Sequence, residues 1–434
     1  MRRLTTAIFL VTAALAHGAE AQTLTFREAV SIALEDNPLI AVARNSAEIA
    51  GNNAHIGNAG MLPSVDLTAS TYYQKSDPVA VPEGAFTVNS ASLGASWTVF
   101  NGLGNVFRYR RLQSEGRRGE IEARNSIESV LVSVSAAYYR GAAASENLRI
   151  ARDLLEISRE RLERVRNRAV YGQGGTIDVL AAQVDFNSDT VTVVQAGFAW
   201  EEARREINAL LDRDIDTEFD IDPSVEFIAP GDYEALRASA LARNASYLSA
   251  VESVRQAKLS KKIARSAWLP RLDLAASYGY DRTVEDFGVD FSGADRGWDV
   301  RAVLSLNVFD GFTKYIDSKN ASIAVRSNEL LERQAMIDLE QSLASAWDSY
   351  LNSRTVLELE RSNLEAARVN FSRTMELYEL GRVTSTQFRE AQLNLIRAET
   401  NLSTARYNAK LDEVDLLRIS GRLVEKADSG DGTS

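Results

Sequence analysis

Residues with catalytic or ligand-binding chemistry are few and poorly grouped in this sequence. There is no cysteine, and His55 is the only histidine after residue 21, so neither a nucleophile–base pair nor a zinc cluster is available. Carboxylates are numerous, but no pair is singled out by its position. A carboxylate-only enzyme stays an open alternative. The composition favours a protein that is not an enzyme and that holds no cofactor or metal.

Two segments resemble ligand loops without completing them. Gly172–Thr176 has the glycines of a phosphate-binding loop but lacks the following lysine and a preceding strand. The aspartate-rich stretch Asp212–Asp222 resembles a calcium loop, but Thr217 stands where that loop needs glycine and Pro223 where it needs glutamate. We interpret the first segment as a turn and the second as part of an exposed linker, 212–231, with room for one short strand.

Residues 1–21 have the pattern of a secretory signal peptide. Arg2 and Arg3 precede the apolar run Ala7–Ala16, and Ala19-Glu20-Ala21 provides a cleavage site. Its removal leaves 47 basic against 59 acidic residues, a net charge of −12 that disfavours nucleic acid as a partner. No later stretch has the roughly 18 consecutive apolar residues of a spanning helix, so a membrane crossing would have to use strands.

The rest of the chain is a tandem duplication, with a first repeat at 22–211 and a second at 232–422. Gly172 matches Gly381, and Ala182-Gln183 matches Ala391-Gln392, each pair 209 positions apart. In both repeats, a long apolar-periodic run ends at the glycine and another run begins a few residues later. This pattern predicts the tip of a helical hairpin.

Long helices are predicted on both sides of a central segment in each repeat. The helices before that segment are expected at Leu24–Gly60, where Pro38 should kink or split the helix, and at Asp232–Ala267. The long helices that follow are predicted at 103–171 and 312–380, and the return helices at 176–211 and 385–422. Thr384 to Gln387 fits a capping box. The tail, 423–434, is predicted to be disordered.

Apolar residues recur at intervals of seven along the second repeat, which indicates left-handed supercoiling against neighbouring helices. On the long helix the series is Met336, Leu343, Tyr350, Leu357, Leu364, Phe371 and Tyr378. On the return helix it is Phe388, Leu395, Leu402, Ala409 and Leu416, accompanied by Ala391, Ala398 and Ala405. A helix of about 69 residues would be about 100 Å long.

Each central segment alternates with period two, which predicts a strand pair. The four strands are expected at 63–74, 89–100, 270–281 and 298–309. The polar connectors Lys75–Asn89 and Asp281–Gly297 are predicted to be surface loops. Strands of about ten residues suit a membrane barrel, although a soluble sandwich with one solvated face has the same alternation. The smallest bacterial barrels have about 8 strands, so chains must associate: two would give eight strands and three would give twelve.

The order of these features resembles the TolC family of outer-membrane efflux proteins. The likeness rests on the duplication, the proline-led strand pairs, the strand ends Phe100-Asn101-Gly102 and Phe309-Asp310-Gly311, and the paired glycine tips. The resemblance implies an α+β membrane protein, a homotrimer with a 12-stranded β-barrel in outer membrane lipid and an α-barrel extending into the periplasm. It also implies two partners: a periplasmic adaptor (membrane fusion) protein and an inner-membrane pump of the RND or ABC type.

The resemblance further implies a periplasmic gate at the hairpin tips. Asp178 matches the family's tip aspartate, and Tyr378 matches the tyrosine that this aspartate engages. Val383 stands where the family has an arginine, with Arg382 adjacent. Of two acidic entrance positions, Glu390 keeps its charge and Gln387 does not, so closure is expected to be looser than in the family pattern. The residues expected to form the tips and dock the adaptor are Gly172, Gly174, Gly175, Thr176, Gly381, Thr384 and Ser385.

Each gate residue also has a purely structural interpretation. A carboxylate at Asp178 is favoured by the dipole of the helix that it begins. Tyr378 ends the seven-residue series and therefore suits packing between helices. Arg382 and Glu390 suit a solvated surface.

Two functions remain open at this point: an outer-membrane exit duct driven by a partner pump, or a structural or adhesive coiled-coil envelope protein without channel activity. The transported substrate and the energy source of the pump are not encoded in any recognisable motif.

Overall fold

A computed structural model describes residues 23–76, 84–172, 175–286 and 290–423 of the chain. The expected signal peptide and, beyond Leu423, the expected disordered tail lie outside the described residues. Among the residues that are described, no helix combines the length and the apolar character needed to cross a bilayer.

The chain divides into two compact units. Unit 1 comprises Met1–Asn37, Ser133–Ile228 and Asn352–Leu411, and unit 2 comprises Pro38–Val132, Ala229–Leu351 and Asp412–Ser434. Each unit therefore draws residues from both sequence repeats. The repeats are units of sequence and of secondary structure, but they are not separate folding domains.

Both repeats contain the same four helices in the same order. In the first repeat they are α1 (Phe26–Asp36), α2 (Pro38–Asn53), α3 (Gly104–Val170) and α4 (Thr176–Leu210). In the second repeat they are α5 (Tyr233–Arg243), α6 (Ala245–Ser266), α7 (Thr313–Glu379) and α8 (Ser385–Ile419). A short strand, β1 (Thr23–Leu24), pairs in parallel with β4 (Asp220–Ile221), which lies in the linker between the repeats.

The helix that precedes each strand pair is broken at an asparagine. Asn37 and Asn244 both have extended backbone angles, and the side-chain amide of Asn37 donates to the carbonyl of Leu210 at 2.8 Å. Asn244 donates likewise to the carbonyl of Ile419 at 3.1 Å. The interruption that Pro38 predicted in the first helix is present. The uninterrupted helix predicted at Asp232–Ala267 is wrong, because Asn244 produces the same break without a proline.

Four strands form one antiparallel sheet in the order β2-β3-β5-β6. Their bounds are β2 (Ser64–Ser76), β3 (Gly84–Asn101), β5 (Arg271–Asp286) and β6 (Asp290–Ser305). The prediction that the polar connectors are loops is wrong where they are described, since Ser76 pairs with Gly84 and Asp286 pairs with Asp290. Backbone pairing needs no apolar side chains, so the ladders continue into polar sequence. Residues 77–83 and 287–289 lie outside the described chain.

The end of β6 also differs from the sequence pattern, which predicted strand as far as residue 309. Ser305 pairs with Arg271, the first residue of β5. The residues after Ser305 have no residue of β5 opposite them, because Arg271 is the first residue of that strand. They are therefore not part of the ladder, although their side chains alternate. Apolar strand residues are widely exposed in the single chain, as shown by Leu67 (78%) and Trp298 (77%).

The seven-residue series supplies buried helix contacts within each unit. In unit 2, Leu343 and Tyr350 pack with Leu236 and Leu416. In unit 1, Leu357 packs with Ala405 and Ala409. The small alanines allow close approach of the helices, as the alternation of large and small residues indicates.

Candidate functional site

Both hairpin tips lie in unit 1 and each contains a glycine with positive φ. The angle is +73° at Gly172, between α3 and α4, and +68° at Gly381, between α7 and α8. After α7, Gly381 N donates to Tyr378 O at 3.0 Å and Arg382 N donates to Leu377 O at 2.8 Å. This is the Schellman arrangement, in which a left-handed residue satisfies the last carbonyls of a helix. Gly174, predicted to belong to the first tip, lies outside the described residues.

The first turn of each return helix is closed by a side chain that the sequence had assigned to the gate. Thr384 N donates to Gln387 Oε1 at 2.9 Å and Gln387 N donates to Thr384 Oγ1 at 3.2 Å, which confirms the predicted capping box. At the other tip, Gly175 N donates to the Asp178 carboxylate at 3.4 Å. Asp178 and Gln387 are 209 positions apart and hold the same place in their repeats. Thr176 begins α4 and is exposed.

Tyr378 is buried at 3% exposure in an aromatic stack. Its ring lies parallel to that of Phe388, with centroids 4.6 Å apart, and Phe388 in turn contacts Phe371 at 5.7 Å. The guanidinium groups of Arg164 and Arg168, on α3, lie 6.0 and 5.8 Å from the Tyr378 centroid. The tyrosine therefore joins α7, α8 and α3 near the tips.

The other gate candidates stand apart from Tyr378 in the single chain. Asp178, Arg382 and Glu390 are exposed. Across the described part of the chain, no hydrogen bond joins Asp178 to Tyr378. The side chain of Ser385, which is predicted to dock a partner, accepts a hydrogen bond from Arg161 Nε at 3.0 Å.

A buried ion-pair cluster lies beside the tips, and sequence reasoning did not find it. It consists of Ser158, Arg161, Asp185, Asp189, Arg389 and Gln392. Asp189, 3% exposed, accepts from Arg389 Nη1 and Nη2 at 2.8 Å each and from the Ser158 hydroxyl. Arg161, 5% exposed, donates to Asp185 at 2.7 Å. The cluster attaches the start of α8 to both α3 and α4.

The cluster could have been predicted from the sequence by comparing equivalent positions of the two repeats. Subtracting or adding 209 places Leu180 opposite Arg389, and Ala398 opposite Asp189. Each repeat thus has an apolar residue at one position where the other repeat has a charge, and the two charges are opposite in sign. Charged residues are rarely buried unless they are paired, so such a coordinated difference indicates an ion pair inside the helix packing.

The described residues contain no group of three or more His, Cys, Asp or Glu side chains arranged to hold a metal ion. In the aspartate-rich linker, Asp214 accepts from the backbone N–H of Asp216 at 3.0 Å, and Asp222 accepts from that of Ser224 at 2.9 Å. These carboxylates stabilise turns of the linker.

Comparisons with known proteins place the whole pattern in context. The family model described as outer membrane efflux protein matches residues 29–213 and 236–422. Protein CyaE of Bordetella pertussis is 25% identical over 94% of this chain and 86% of its own length. The alkaline protease secretion protein AprF of Pseudomonas aeruginosa is 23% identical over 91% and 86%. The CmeC outer membrane channel of Campylobacter jejuni shares the fold, with a TM-score of 0.78 at 17% identity over 94% of this chain and 90% of that one.

Proposed function

Because the chain belongs to the outer membrane efflux protein family, we propose that it is a passive exit duct in the outer membrane, serving an efflux or type I secretion system. The family match confirms the resemblance to TolC-like proteins and locates the protein in the outer membrane. The name of AprF refers to secretion of a protease. In the proposed system an inner-membrane pump of the RND or ABC type supplies the energy, and a periplasmic adaptor connects the pump to the duct.

The observation that carries the proposal is the open sheet. Within the described residues, β2 and β6 are edge strands that pair with no further strand on their outer sides. Unpaired edges are unfavourable in a bilayer, because every backbone N–H and C=O there needs a partner. Association of three chains would join β6 of one copy to β2 of the next and close twelve strands into a barrel.

An exposed apolar stripe on α4 supports association along the helices as well. Its members recur at intervals of three, four or seven residues: Ile177, Leu180, Val184, Val191, Val194 and Phe198. Val194 is 68% exposed and Phe198 is 66% exposed, whereas their counterparts on α8, Ser403 and Tyr407, are buried at 1% and 3%.

The counterparts of the stripe show how it would be covered. Ser403 and Tyr407 both donate hydrogen bonds to Glu146 on α3, at 2.9 and 3.2 Å. The duplication makes α7 the counterpart of α3. By this internal symmetry, α4 of one copy would pack on α7 of a second copy in the way that α8 packs on α3 within the chain.

The tips are the proposed docking and gating end of the duct. The adaptor would contact the turn residues Gly172, Gly174, Gly175, Thr176, Gly381, Thr384 and Ser385. The exposed side chains of Asp178, Arg382 and Glu390 would form links between copies that narrow the opening. Gln387 would contribute by holding the second tip in shape, and Tyr378 by holding α7 and α8 together.

Single-channel conductance in planar lipid bilayers tests the duct. Asp178→Ala and Tyr378→Ala should raise the current through the closed protein, while Asp153→Ala, which removes an exposed carboxylate on α3, should not. If the protein inserts into bilayers but neither wild type nor variants conduct, the duct is wrong. The alternative, a structural or adhesive coiled-coil protein, would then be favoured.

A further inference from the structure

A basic cleft in unit 2 lies between α3 and α6, with one wall completed by α7. Its volume is about 570 Å³. Five cationic side chains line it: Arg110, Arg117, Arg255, Lys258 and Lys262. Glu332 is the one acidic residue among those that line it in the described chain. This concentration of positive charge contrasts with the net charge of −11 for the whole sequence.

Internal ion pairs neutralise only part of this charge. Glu252 pairs with Arg117 at 3.4 Å and with Arg255 at 3.2 Å, and Glu329 pairs with Lys258 at 3.0 Å. The other two of the five cations form no ion pair in the described structure. In the described structure Arg110 has no hydrogen bond or ion pair, and Lys262 has a cation–π interaction with the ring of Phe107, at 5.5 Å from its centroid, but no ion pair.

The duplication shows that the helix α6 does not need its charges in order to form. In the first repeat, α2 is the counterpart of α6. Glu48 stands at the position equivalent to Arg255, and Gly51 at that of Lys258. A helix forms at this place in both repeats, so the cations of α6 are not required for helix formation.

The cleft lies close to the end of the sheet. Lys262 is four residues before the end of α6 and Arg110 is six residues after the start of α3. At 1.5 Å per residue these distances are about 6 and 9 Å. The junction of strands and helices carries exposed apolar and aromatic side chains: Phe100, Leu103, Trp268, Leu269, Phe309, Phe312 and Tyr315. Such a belt is typical of the boundary between a bilayer and water.

We propose that the basic cleft binds the phosphate group of an anionic phospholipid from the periplasmic leaflet of the outer membrane. The proposal rests on the proposed function, because it requires the sheet to lie in that membrane. The headgroup layer of one leaflet is about 5–7 Å thick, so Lys262 and Arg110 lie within reach of it. Lysine and arginine bind phosphate through charge-assisted hydrogen bonds. The acyl chains would lie along the aromatic belt, while Val254 and Leu259 give the cleft an apolar floor.

Native mass spectrometry of the detergent-purified full chain tests the proposal. Wild type should bind dioleoyl phosphatidylglycerol in preference to dioleoyl phosphatidylcholine. The double variant Arg110→Gln/Lys262→Gln should weaken phosphatidylglycerol binding about 30-fold, since each cation that attracts an anionic lipid contributes about fivefold. Neither side chain holds an ion pair in the described structure, so the double variant breaks none.

The duplication supplies a matched control. Lys319 and Arg326 lie six and thirteen residues after the start of α7, as Arg110 and Arg117 do on α3. The variant Lys319→Gln/Arg326→Gln should bind phosphatidylglycerol as wild type does. Equal binding of the two lipids by wild type, or equal weakening by both double variants, would overturn the proposal.

Inorganic phosphate distinguishes a lipid from a soluble ligand. Millimolar phosphate should not displace phosphatidylglycerol, and displacement would show that the cleft takes free phosphate instead. The duct is tested separately by conductance in phosphatidylcholine bilayers, where the Arg110→Gln/Lys262→Gln variant should conduct like wild type. Absence of conductance in every protein would reject the duct while leaving the lipid-binding measurement in detergent interpretable.

Discussion

Arg389 binds Asp189 through both terminal nitrogens of its guanidinium group, at 2.8 Å each, inside the helix packing of unit 1. Asp189 is 3% exposed, so its charge is almost fully removed from water. Truncating one partner of such a pair leaves the other charge buried and unpaired. Replacing only one member of this ion pair, which lies beside the hairpin tips, should therefore lower the free energy of unfolding.

Asp189→Ala is expected to lower the free energy of unfolding by about 3–5 kcal/mol, because Arg389 keeps its charge without its partner. Urea unfolding in detergent measures this loss. Asp153→Ala removes the exposed partner of Arg149 and should cost less than about 1 kcal/mol. The double variant Arg389→Leu/Asp189→Ala copies the residues of the other repeat and should recover most of the loss. A double variant as unstable as Asp189→Ala would show that the cost is not one of an unpaired charge.

Gly381→Ala should destabilise the second tip by about 1–2 kcal/mol, because a side chain at φ +68° clashes with its own backbone. Apart from its own chain neighbours, a Cβ at this position has no atom within 4 Å. The cost therefore comes from the local backbone conformation and not from crowding by the rest of the protein. Gly51→Ala is the matched control, since it lies in α2 and its Cβ also meets nothing within 4 Å. It should raise stability by about 0.5–1 kcal/mol. Effects of the same sign in both variants would contradict this account.

Val194→Lys should weaken association of the chains, because it places a charge in the exposed apolar stripe of α4 that a second copy is proposed to cover. The molar mass of the detergent-solubilised protein, measured by light scattering, reports the number of chains. Gln195→Lys introduces the same charge on the neighbouring exposed position outside the stripe and should leave the assembly intact. Dissociation by both variants, or by neither, would count against the stripe as the interface.

Glu128 should make stability depend on pH in the direction opposite to that of a carboxylate whose pKa is lowered by folding. Burial raises its pKa, against the opposing effect of Arg124, whose Nε lies 2.9 Å from the carboxylate. A raised pKa in the folded state means that the neutral form is favoured there. The stabilisation is complete below the usual value of about 4.5 and is lost as pH rises through the raised pKa.

Glu128→Gln keeps the neutral form at every pH. Its free energy of unfolding should therefore rise relative to wild type as the pH increases above about 4.5, measured by urea unfolding at a series of pH values. Glu122→Gln, an exposed change on the same helix, should leave the profile unchanged. A constant difference between Glu128→Gln and wild type across this range would contradict the assignment.

The features that sequence predicted best are those set by local chemistry or by long periodicity. The capping box of Thr384 and Gln387 needs only four residues, and the buried Leu343 and Leu357 belong to a series repeated over many turns. The break at Asn244 was missed, because it depends on a carbonyl of α8 that is distant in sequence. The extension of the strands to Ser76 and Asp286 was missed because side-chain pattern does not report backbone pairing.

The site was predicted less completely than the fold. Positions such as Asp178 and Tyr378 were found through the family resemblance, whereas the contacts that Tyr378 makes with Phe388 and Arg168 depend on three helices meeting. Arg389 and Asp189 were not predicted as a pair, because only their counterparts in the other repeat, Leu180 and Ala398, distinguish them from other charged residues of the helices. Their burial is a property of tertiary packing, which overrides the usual preference of charges for solvent.

The ion-pair cluster also distinguishes the two sorts of boundary that a ring of duplicated chains would contain. Inside a chain, Arg389 and Asp189 connect the neighbouring hairpins. In the proposed assembly, Leu180 and Ala398 would hold the corresponding positions between molecules, where a relative movement would break no ion pair. Interfaces that contain the ion pair would therefore alternate around the ring with interfaces that lack it, and the latter would be the more easily deformed. Any dilation of the ring would be concentrated at every second joint, where neighbouring molecules meet.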